Sequence, residues 1–118
     1  MPDPFRPLAS ESAWEDAQAT SEDTPVLIFK HSSACPVSAQ AQDELTELAA
    51  DTDLPIYRVV VQESRAVSDT VEADLDVRHE TPQAILLRDR RPAFDTSHFD
   101  VTADTIRDAL STPSASSE

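Results

Sequence analysis

The stretch VLIFKHSSACPVS, residues 26–38, carries the clearest local signals in this chain. Its first four residues are apolar and β-favouring with no polar break, a pattern typical of a central strand buried on both faces. Pro36 follows where a helix can begin, because the first helical position needs no backbone N–H donor. Cys35 is therefore predicted to lie between the end of a strand and the start of a helix.

The neighbouring segments continue this alternation of strand and helix. Apolar residues recur at helical spacing over residues 36–50, and again at Val67, Val71 and Leu75. The run at 56–61 between them predicts a second strand, so the first two strands are expected to be parallel, with a right-handed crossover. Residues 83–87 and 93–96 predict an antiparallel hairpin. Two further helices are predicted, one capped by Ser10 or Ser12 and one by Thr102.

These elements predict one α/β domain with a four-stranded mixed sheet flanked by helices. Residues 1–9 are predicted to be an extended N-terminal arm, residues 10–110 the domain, and residues 111–118 a disordered polar tail. The 118 residues contain nine prolines and no glycine. We therefore expect prolines to mark the ends of the elements, because each one fixes φ and removes a donor.

The charge is strongly acidic, with 23 Asp and Glu against 9 Lys and Arg, a formal net charge of −14. This charge repels phosphate backbones and anionic lipids, so neither nucleic acid nor a membrane surface is an expected partner. The longest apolar runs have four residues, and the first 18 residues do not resemble a secretory signal, which favours the cytoplasm. Lys30 is the single lysine, and the excess of Asp over Glu suggests a salt-rich habitat.

Cys35 is the only cysteine and opens a C-x-x-S motif with Pro36, Val37 and Ser38. Backbone amides at a helix start favour the thiolate form, and we expect those of Val37 and Ser38 to point towards the sulfur. The Ser38 hydroxyl is a further expected donor. The alternative is that Cys35 is a small buried apolar residue without reactivity.

Other residues are candidates for supporting roles. His31, His79 and His98 are candidates to raise the thiolate population or to move a proton, or are structural. Lys30 and Arg65 are candidates to bind the carboxylates of a small thiol, or form surface ion pairs. Thr81-Pro82 directly precedes a predicted strand and is a candidate cis peptide bond, with an ordinary trans turn as the alternative. No metal site is expected, because one sulfur and scattered imidazoles lack the paired ligands of zinc motifs.

Four stretches together resemble the YtxJ-type monothiol bacilliredoxins of the bacillithiol redox system. They are FKHS at 29–32 with CPVS at 35–38, VQESR at 61–65, HETPQ at 79–83 and DTSH at 95–98. The resemblance covers about residues 10–110 and implies a thioredoxin-like fold. It implies that Cys35 is the nucleophile, that Ser38 replaces a resolving cysteine, and that Thr81-Pro82 is the cis-proline turn beside Cys35.

The function expected from this resemblance is that of a monothiol disulfide oxidoreductase without a bound cofactor. The Cys35 thiolate would take bacillithiol, the co-substrate, from mixed disulfides on client proteins, and a small thiol or a thiol reductase would regenerate it. Catalytic roles are expected for Cys35, Pro36 and Ser38, and substrate binding for Thr81, Pro82, Lys30 and His31. One alternative is a redox sensor or interaction module that does not turn over. Another is an iron–sulfur carrier, which would need a cluster bridged between two chains.

Overall fold

A computed structural model describes residues 4–111 of the chain. Five strands form one sheet in the order β1-β3-β2-β4-β5, with β1 to β3 mutually parallel and β4 and β5 antiparallel to their neighbours. The strands are β1 Phe5–Pro7, β2 Val26–His31, β3 Ile56–Val60, β4 Gln83–Arg88 and β5 Arg91–Ser97. The helices are α1 Glu11–Thr20, α2 Pro36–Asp51, α3 Arg65–Leu75 and α4 Ala103–Ser111, with a 3-10 turn at His98–Asp100.

The fifth strand, β1, comes from the segment predicted as the N-terminal arm, so the prediction of four strands was wrong. Phe5 pairs with Ile56 of β3, and the side chains of Phe5 and Leu8 are buried. A three-residue strand that ends in proline has no detectable alternation, and proline is tolerated here because β1 lies at the sheet edge. The predicted arm and tail also include residues 1–3 and 112–118, which lie outside the described residues.

Each face of the sheet carries its own apolar core. Alternation along β2 sends Leu27 and Phe29 towards α2 and α4, and sends Val26 and Ile28 towards α1 and α3. All four of these side chains are fully buried, and each contributes about 1.5–3 kcal/mol when removed from water. The same alternation places the side chain of Lys30 on the α1–α3 face.

Four non-glycine residues make the turns that glycine usually makes. Asp76, Asp89, Arg90 and His98 all have positive φ, between 54° and 67°. This backbone region costs an L-residue roughly 1–2 kcal/mol. At the β4–β5 hairpin, Ser21 accepts the Arg90 N–H through its Oγ at 2.8 Å and the Asp89 N–H through its carbonyl at 2.7 Å. Prolines therefore mark many element ends, but contacts to neighbouring elements support the tightest of these turns.

Candidate active site

Cys35 lies at the predicted junction between β2 and α2. It is the N-cap residue of α2, with an extended backbone (φ −109°, ψ 120°), and Pro36 occupies the first turn. Its carbonyl accepts the N–H of Ala39 at 3.1 Å, which begins the helix. The thiol is unpaired and partly exposed, so Cys35 is not the fully buried residue that the alternative expected.

The thiol of Cys35 does not cap its helix. The side chain accepts no capping hydrogen bond, although the amides of Val37 and Ser38 were expected to point towards it. A neutral thiol is a weak acceptor, so it gains little from approaching these amides. The first turn of α2 also contains no acidic side chain. The first turn of α2 therefore places the partial positive charge of a helix start beside Cys35, with no acidic side chain of that turn to offset it.

The Ser38 hydroxyl binds the loop before Cys35 and is fully buried. Its Oγ accepts the backbone N–H of Ser32 at 2.9 Å and lies 2.9 Å from Nδ1 of His31. The expected hydrogen bond from Ser38 to the cysteine sulfur is not among these contacts. Ser38 therefore supports the loop that carries Cys35 and does not contact the thiol through a hydrogen bond.

Gln62, which follows β3, holds the same loop from the other side. Its Oε1 accepts the N–H of Ser33 at 3.1 Å, and its Nε2 donates to Oγ of Ser32 at 2.7 Å. Gln62 was not a candidate from the sequence, although it lies within the VQESR stretch. Its polar amide directly after a strand was the available signal, because the carboxyl ends of the parallel strands β2 and β3 meet at one sheet edge.

His31, the last residue of β2, is partly buried beneath this loop. Burial lowers the pKa of His31 below its ordinary value of 6.5, and the nearby charge of Arg58 lowers the pKa further. The imidazole lies 5.4 Å from the ring of Phe29, centroid to centroid. At neutral pH His31 is therefore an uncharged hydrogen-bonding partner of Ser38.

The Thr81–Pro82 peptide bond is cis, as predicted. Lys30 of β2 pairs with Gln83 of β4, so the turn lies at the sheet edge where β2 ends and the loop to Cys35 begins. The carbonyl of Pro82 accepts the N–H of His98 at 2.8 Å. Within residues 4–111, no backbone hydrogen bond uses the N–H or C=O of Thr81.

Lys30 and His79 contact each other on the face of the sheet that packs against α3. Lys30 is fully buried, and its Nζ lies 3.3 Å from the carbonyl of Ser68 and 3.1 Å from Nδ1 of His79. Desolvation is the main reason that both groups have a lowered pKa, although His79 as a residue is exposed and only Lys30 is fully buried. The charge of Lys30 lowers the pKa of His79 further. Lys30 is thus neither a surface ion pair nor an exposed binding group.

Two other candidates lie at the surface. Arg65 is exposed in the first turn of α3 and lines a cavity of about 120 Å³ together with His79. His98, the first residue of the 3-10 turn after β5, contacts the Thr81–Pro82 turn, and its Nε2 lies 2.9 Å from Oε1 of Glu80. The structure therefore brings together Cys35, Ser38 and His31 at one site, Lys30 and His79 at a second, and Pro82 and His98 at the turn.

Comparison with known proteins agrees with this architecture. A family model described as monothiol bacilliredoxin BrxC matches residues 6–106. The chain belongs to this family. A solved structure described as having a thioredoxin fold is 28% identical, with 89% of this chain and 92% of that chain covered and a TM-score of 0.81. The thioredoxin-like fold and the membership suggested by the four stretches are both confirmed.

Two thioredoxins support the fold alone. The thioredoxin of Fasciola hepatica is 12% identical, with 90% of this chain and 96% of that chain covered and a TM-score of 0.75. A mutant thioredoxin from Halobacterium salinarum is 18% identical, with 93% and 92% covered and a TM-score of 0.71.

The bacilliredoxin site borders a shallow groove that the sequence did not indicate. The groove has a volume of about 70 Å³ and lies between the first turns of α2 and the segment after β5. Phe99 lines it and is 74% exposed, which is the largest exposure of a bulky apolar side chain among the described residues. The groove is lined by Val37, Gln40, Ala41, Glu44, His98, Phe99, Val101 and Thr102.

Two features are absent from residues 4–111 of this bacilliredoxin, a cluster of metal-ligating side chains and a membrane-spanning helix. In residues 4–111, no three His, Cys, Asp or Glu side chains are grouped so that they could hold a metal ion. No helix in that range combines the length and the hydropathy that a membrane span requires.

Proposed function

We propose that this protein is a monothiol disulfide oxidoreductase that removes bacillithiol, or a similar small thiol, from mixed disulfides on client proteins. The observation that carries the proposal is the position of Cys35. The only thiol of the chain is unpaired and partly exposed at the start of α2, in a member of the monothiol bacilliredoxin family. The surrounding loop is held by Ser38 and Gln62, so the thiol is presented on a supported backbone.

In the first step, the Cys35 thiolate attacks the bacillithiol sulfur of the client mixed disulfide. A new S–S bond forms between Cys35 and bacillithiol, and the client–bacillithiol bond breaks. The client cysteine leaves as a thiolate and takes a proton from solvent. One disulfide is consumed and one is formed, so no other oxidant or reductant is needed.

In the second step, an external thiol must regenerate Cys35, because the chain has no second cysteine. The thiolate of a second small thiol, or of a partner reductase, attacks the bacillithiol sulfur and releases Cys35 as a thiolate. The partial positive charge at the start of α2 favours this departing anion. The proposal places the reaction in the cytoplasm, where small thiols keep cysteines reduced.

Two surface features favour a protein as the donor of the mixed disulfide. The backbone of Thr81 has no hydrogen-bond partner within residues 4–111, and could pair with an extended client segment. The exposed ring of Phe99, in the groove beside α2, adds apolar area for an apolar side chain of the client. Recognition through a backbone and one apolar contact would tolerate many client sequences.

The proposal is tested with a client protein that carries bacillithiol on a single cysteine. Intact mass spectrometry follows the client losing bacillithiol and the enzyme gaining one bacillithiol. We expect transfer to wild type but none to Cys35→Ser, and catalytic turnover once free bacillithiol is added. A matched client that carries glutathione reports which small thiol is preferred.

Three outcomes separate the readings. Transfer with turnover supports the oxidoreductase. Transfer to Cys35 that no small thiol or reductase reverses supports the redox sensor instead. The absence of transfer from either client would exclude a reaction with mixed disulfides. Phe99→Ser adds a check on the client surface, because it should slow reaction with the protein client several-fold and leave reaction with a small bacillithiol disulfide unchanged.

A further inference from the structure

The single lysine of this acidic chain, Lys30, is buried and has no role in the disulfide-exchange steps proposed above. Lys30 has 0% relative exposure, and its Nζ has two hydrogen-bond partners among residues 4–111, the Ser68 carbonyl and the His79 imidazole. A buried amine that lacks a carboxylate at hydrogen-bond distance is costly, so its remaining partners matter to the fold. One of these partners belongs to the segment that leads into the Thr81–Pro82 turn.

The contact defines which form His79 must take. A lysine nitrogen can only donate to Nδ1 if Nδ1 carries no proton, so the neutral imidazole has its proton on Nε2. The two atoms lie 3.1 Å apart, and the Ser68 Oγ is 3.5 Å from the same Nδ1. Protonation of His79 would put two donors and two positive charges against each other, and the contact would break.

The contact between Lys30 and His79 joins residues that are 49 positions apart in sequence. It holds the segment that precedes the Thr81–Pro82 turn. The backbone N–H of His79 donates to Oε2 of Glu72 at 3.0 Å, which fixes the same residue to α3. On the other side, Nε2 of Gln83 donates to the carbonyl of Arg78 at 2.8 Å. Three contacts therefore hold residues 78–80, and the contact with Lys30 is the one made through the His79 ring.

We propose that Lys30 and His79 are positioning residues, which hold the Thr81–Pro82 turn for disulfide exchange only while His79 is neutral. The inference rests on the proposed function, because the turn is where a client is expected to pair. Neither residue touches a reacting sulfur in this account. Their effect passes through the backbone from His79 to Thr81.

The charges around the pair set the pH at which it opens. Glu72 and Asp69 of α3 and the adjacent Glu80 favour protonated His79, whereas burial and Lys30 oppose it. Burial and Lys30 are the two largest influences, so the pKa of His79 lies below 6.5. Arg65 and His79 both line the cavity of about 120 Å³ described above, and the Arg65 guanidinium adds positive charge there. The hydrogen bond between Lys30 and His79 is consequently formed at neutral pH and breaks on acidification.

The first test is an NMR titration of the full reduced chain, which needs no substrate. The Hε1 signal of His79, assigned by its loss in His79→Asn, should titrate with a midpoint below 6.5 in wild type. The amides of Thr81 and Gln83 should move with the same midpoint. In Lys30→Met the His79 midpoint should rise and the Thr81 amide should stop following it. Arg65→Gln is the matched control, since it removes a cation from the same cavity and leaves the pair intact.

The second test compares two replacements of His79 by turnover with the bacillithiol-loaded client between about pH 5.5 and 8. Asn places an acceptor oxygen near the position of Nδ1 and does not titrate. His79→Asn should therefore keep most of the activity at neutral pH and lose the acid decline of wild type. His79→Leu has no acceptor and should be roughly tenfold slower than wild type at neutral pH, as expected for a displaced substrate-binding turn. The difference should shrink on acidification, because wild type then loses the same contact. Cys35 alkylation rates, measured on the same samples, separate this effect from the thiolate population.

The outcomes are decisive in each direction. A His79 midpoint at or above 6.5, or one that Lys30→Met does not raise, overturns the proposal, as does His79→Leu with wild-type turnover. If Lys30→Met does not fold, the comparison of Asn with Leu at position 79 decides. If wild type has no turnover, the proposed function fails, and the titration still shows whether the pair positions Thr81.

Discussion

Ser38 Oγ lies 2.9 Å from Nδ1 of His31 and accepts the N–H of Ser32 at the same distance. The hydroxyl at the last position of the C-x-x-S motif thus joins the end of β2 to the first turn of α2. A cysteine sulfur at this place would be larger and a weaker hydrogen-bond acceptor. The serine therefore has a structural role in the loop that carries Cys35.

We expect Ser38→Ala to lower the free energy of unfolding by about 1–3 kcal/mol, because it leaves the Ser32 N–H without its buried acceptor. Urea denaturation of the reduced protein measures this. The matched comparison is a double-mutant cycle with His31→Ala, which should show a coupling of about 0.5–1.5 kcal/mol. Additive effects of the two substitutions would mean that the hydroxyl and the imidazole do not stabilise each other.

Stability should fall as the pH is lowered from about 7.5 to about 5.5. The pKa values of His31 and His79 are lowered from 6.5, mainly by burial, so the unfolded chain binds more protons than the folded chain below 6.5. The free energy of unfolding therefore rises with pH in that interval. Lys30, whose pKa is lowered from 10.5, acts in the same direction at alkaline pH.

Urea midpoints at several pH values check this expectation. The double variant His31→Asn, His79→Asn should have a flatter profile between pH 5.5 and 7.5, because neither position titrates. A wild-type urea midpoint that does not change with pH would contradict the assignment to these two histidines. A midpoint that rises on acidification in both wild type and the double variant would contradict it as well.

Asp76→Gly should stabilise the protein by about 0.5–1 kcal/mol. Asp76 ends α3 in the left-handed conformation, with φ 55° and ψ 42°, and its side chain is exposed. Glycine removes the steric cost of the Cβ atom, and also removes a negative charge from a helix C-terminus. Asp76→Ala keeps a Cβ atom and serves as the control. Thermal unfolding should rank Gly above Asp, and an equal gain from Ala would assign the effect to charge alone.

The melting temperature should rise as KCl is increased from dilute buffer towards ~1 M, where the Debye length is about 3 Å. The net charge of −14 then repels itself less. Salt also weakens exposed ion pairs, such as those of Arg90 with Glu15 and Glu22, but exposed pairs contribute little to stability. Arg90→Gln should therefore keep the same upward slope. A melting temperature that does not change with KCl would reject the idea of a salt-adapted chain.

The order of elements and the place of Cys35 could be predicted because their signals are local. An apolar run predicts β2, proline at the first helical position predicts the start of α2, and the alternation of strand with helix predicts the crossover. The cis bond at Thr81–Pro82 was one of two alternatives, because a proline before a strand does not by itself distinguish cis from trans, and the resemblance to the bacilliredoxins favoured cis. The hydrogen bonds around Cys35 could not be predicted in the same way, because the sequence does not specify where an amide or a hydroxyl group will point.

The amino-acid sequence by itself was sufficient for the α/β class, for the helix that begins after Cys35 and for a family that the comparison confirmed. Folding was needed to pair β1 with β3, to turn Ser38 towards His31 and to bury Lys30 against His79. These contacts join segments whose distance in sequence is as large as 51 residues, as between Arg6 and Tyr57. Such contacts depend on strand register and on the face of the sheet that each side chain occupies, which only the packed sheet and helices establish.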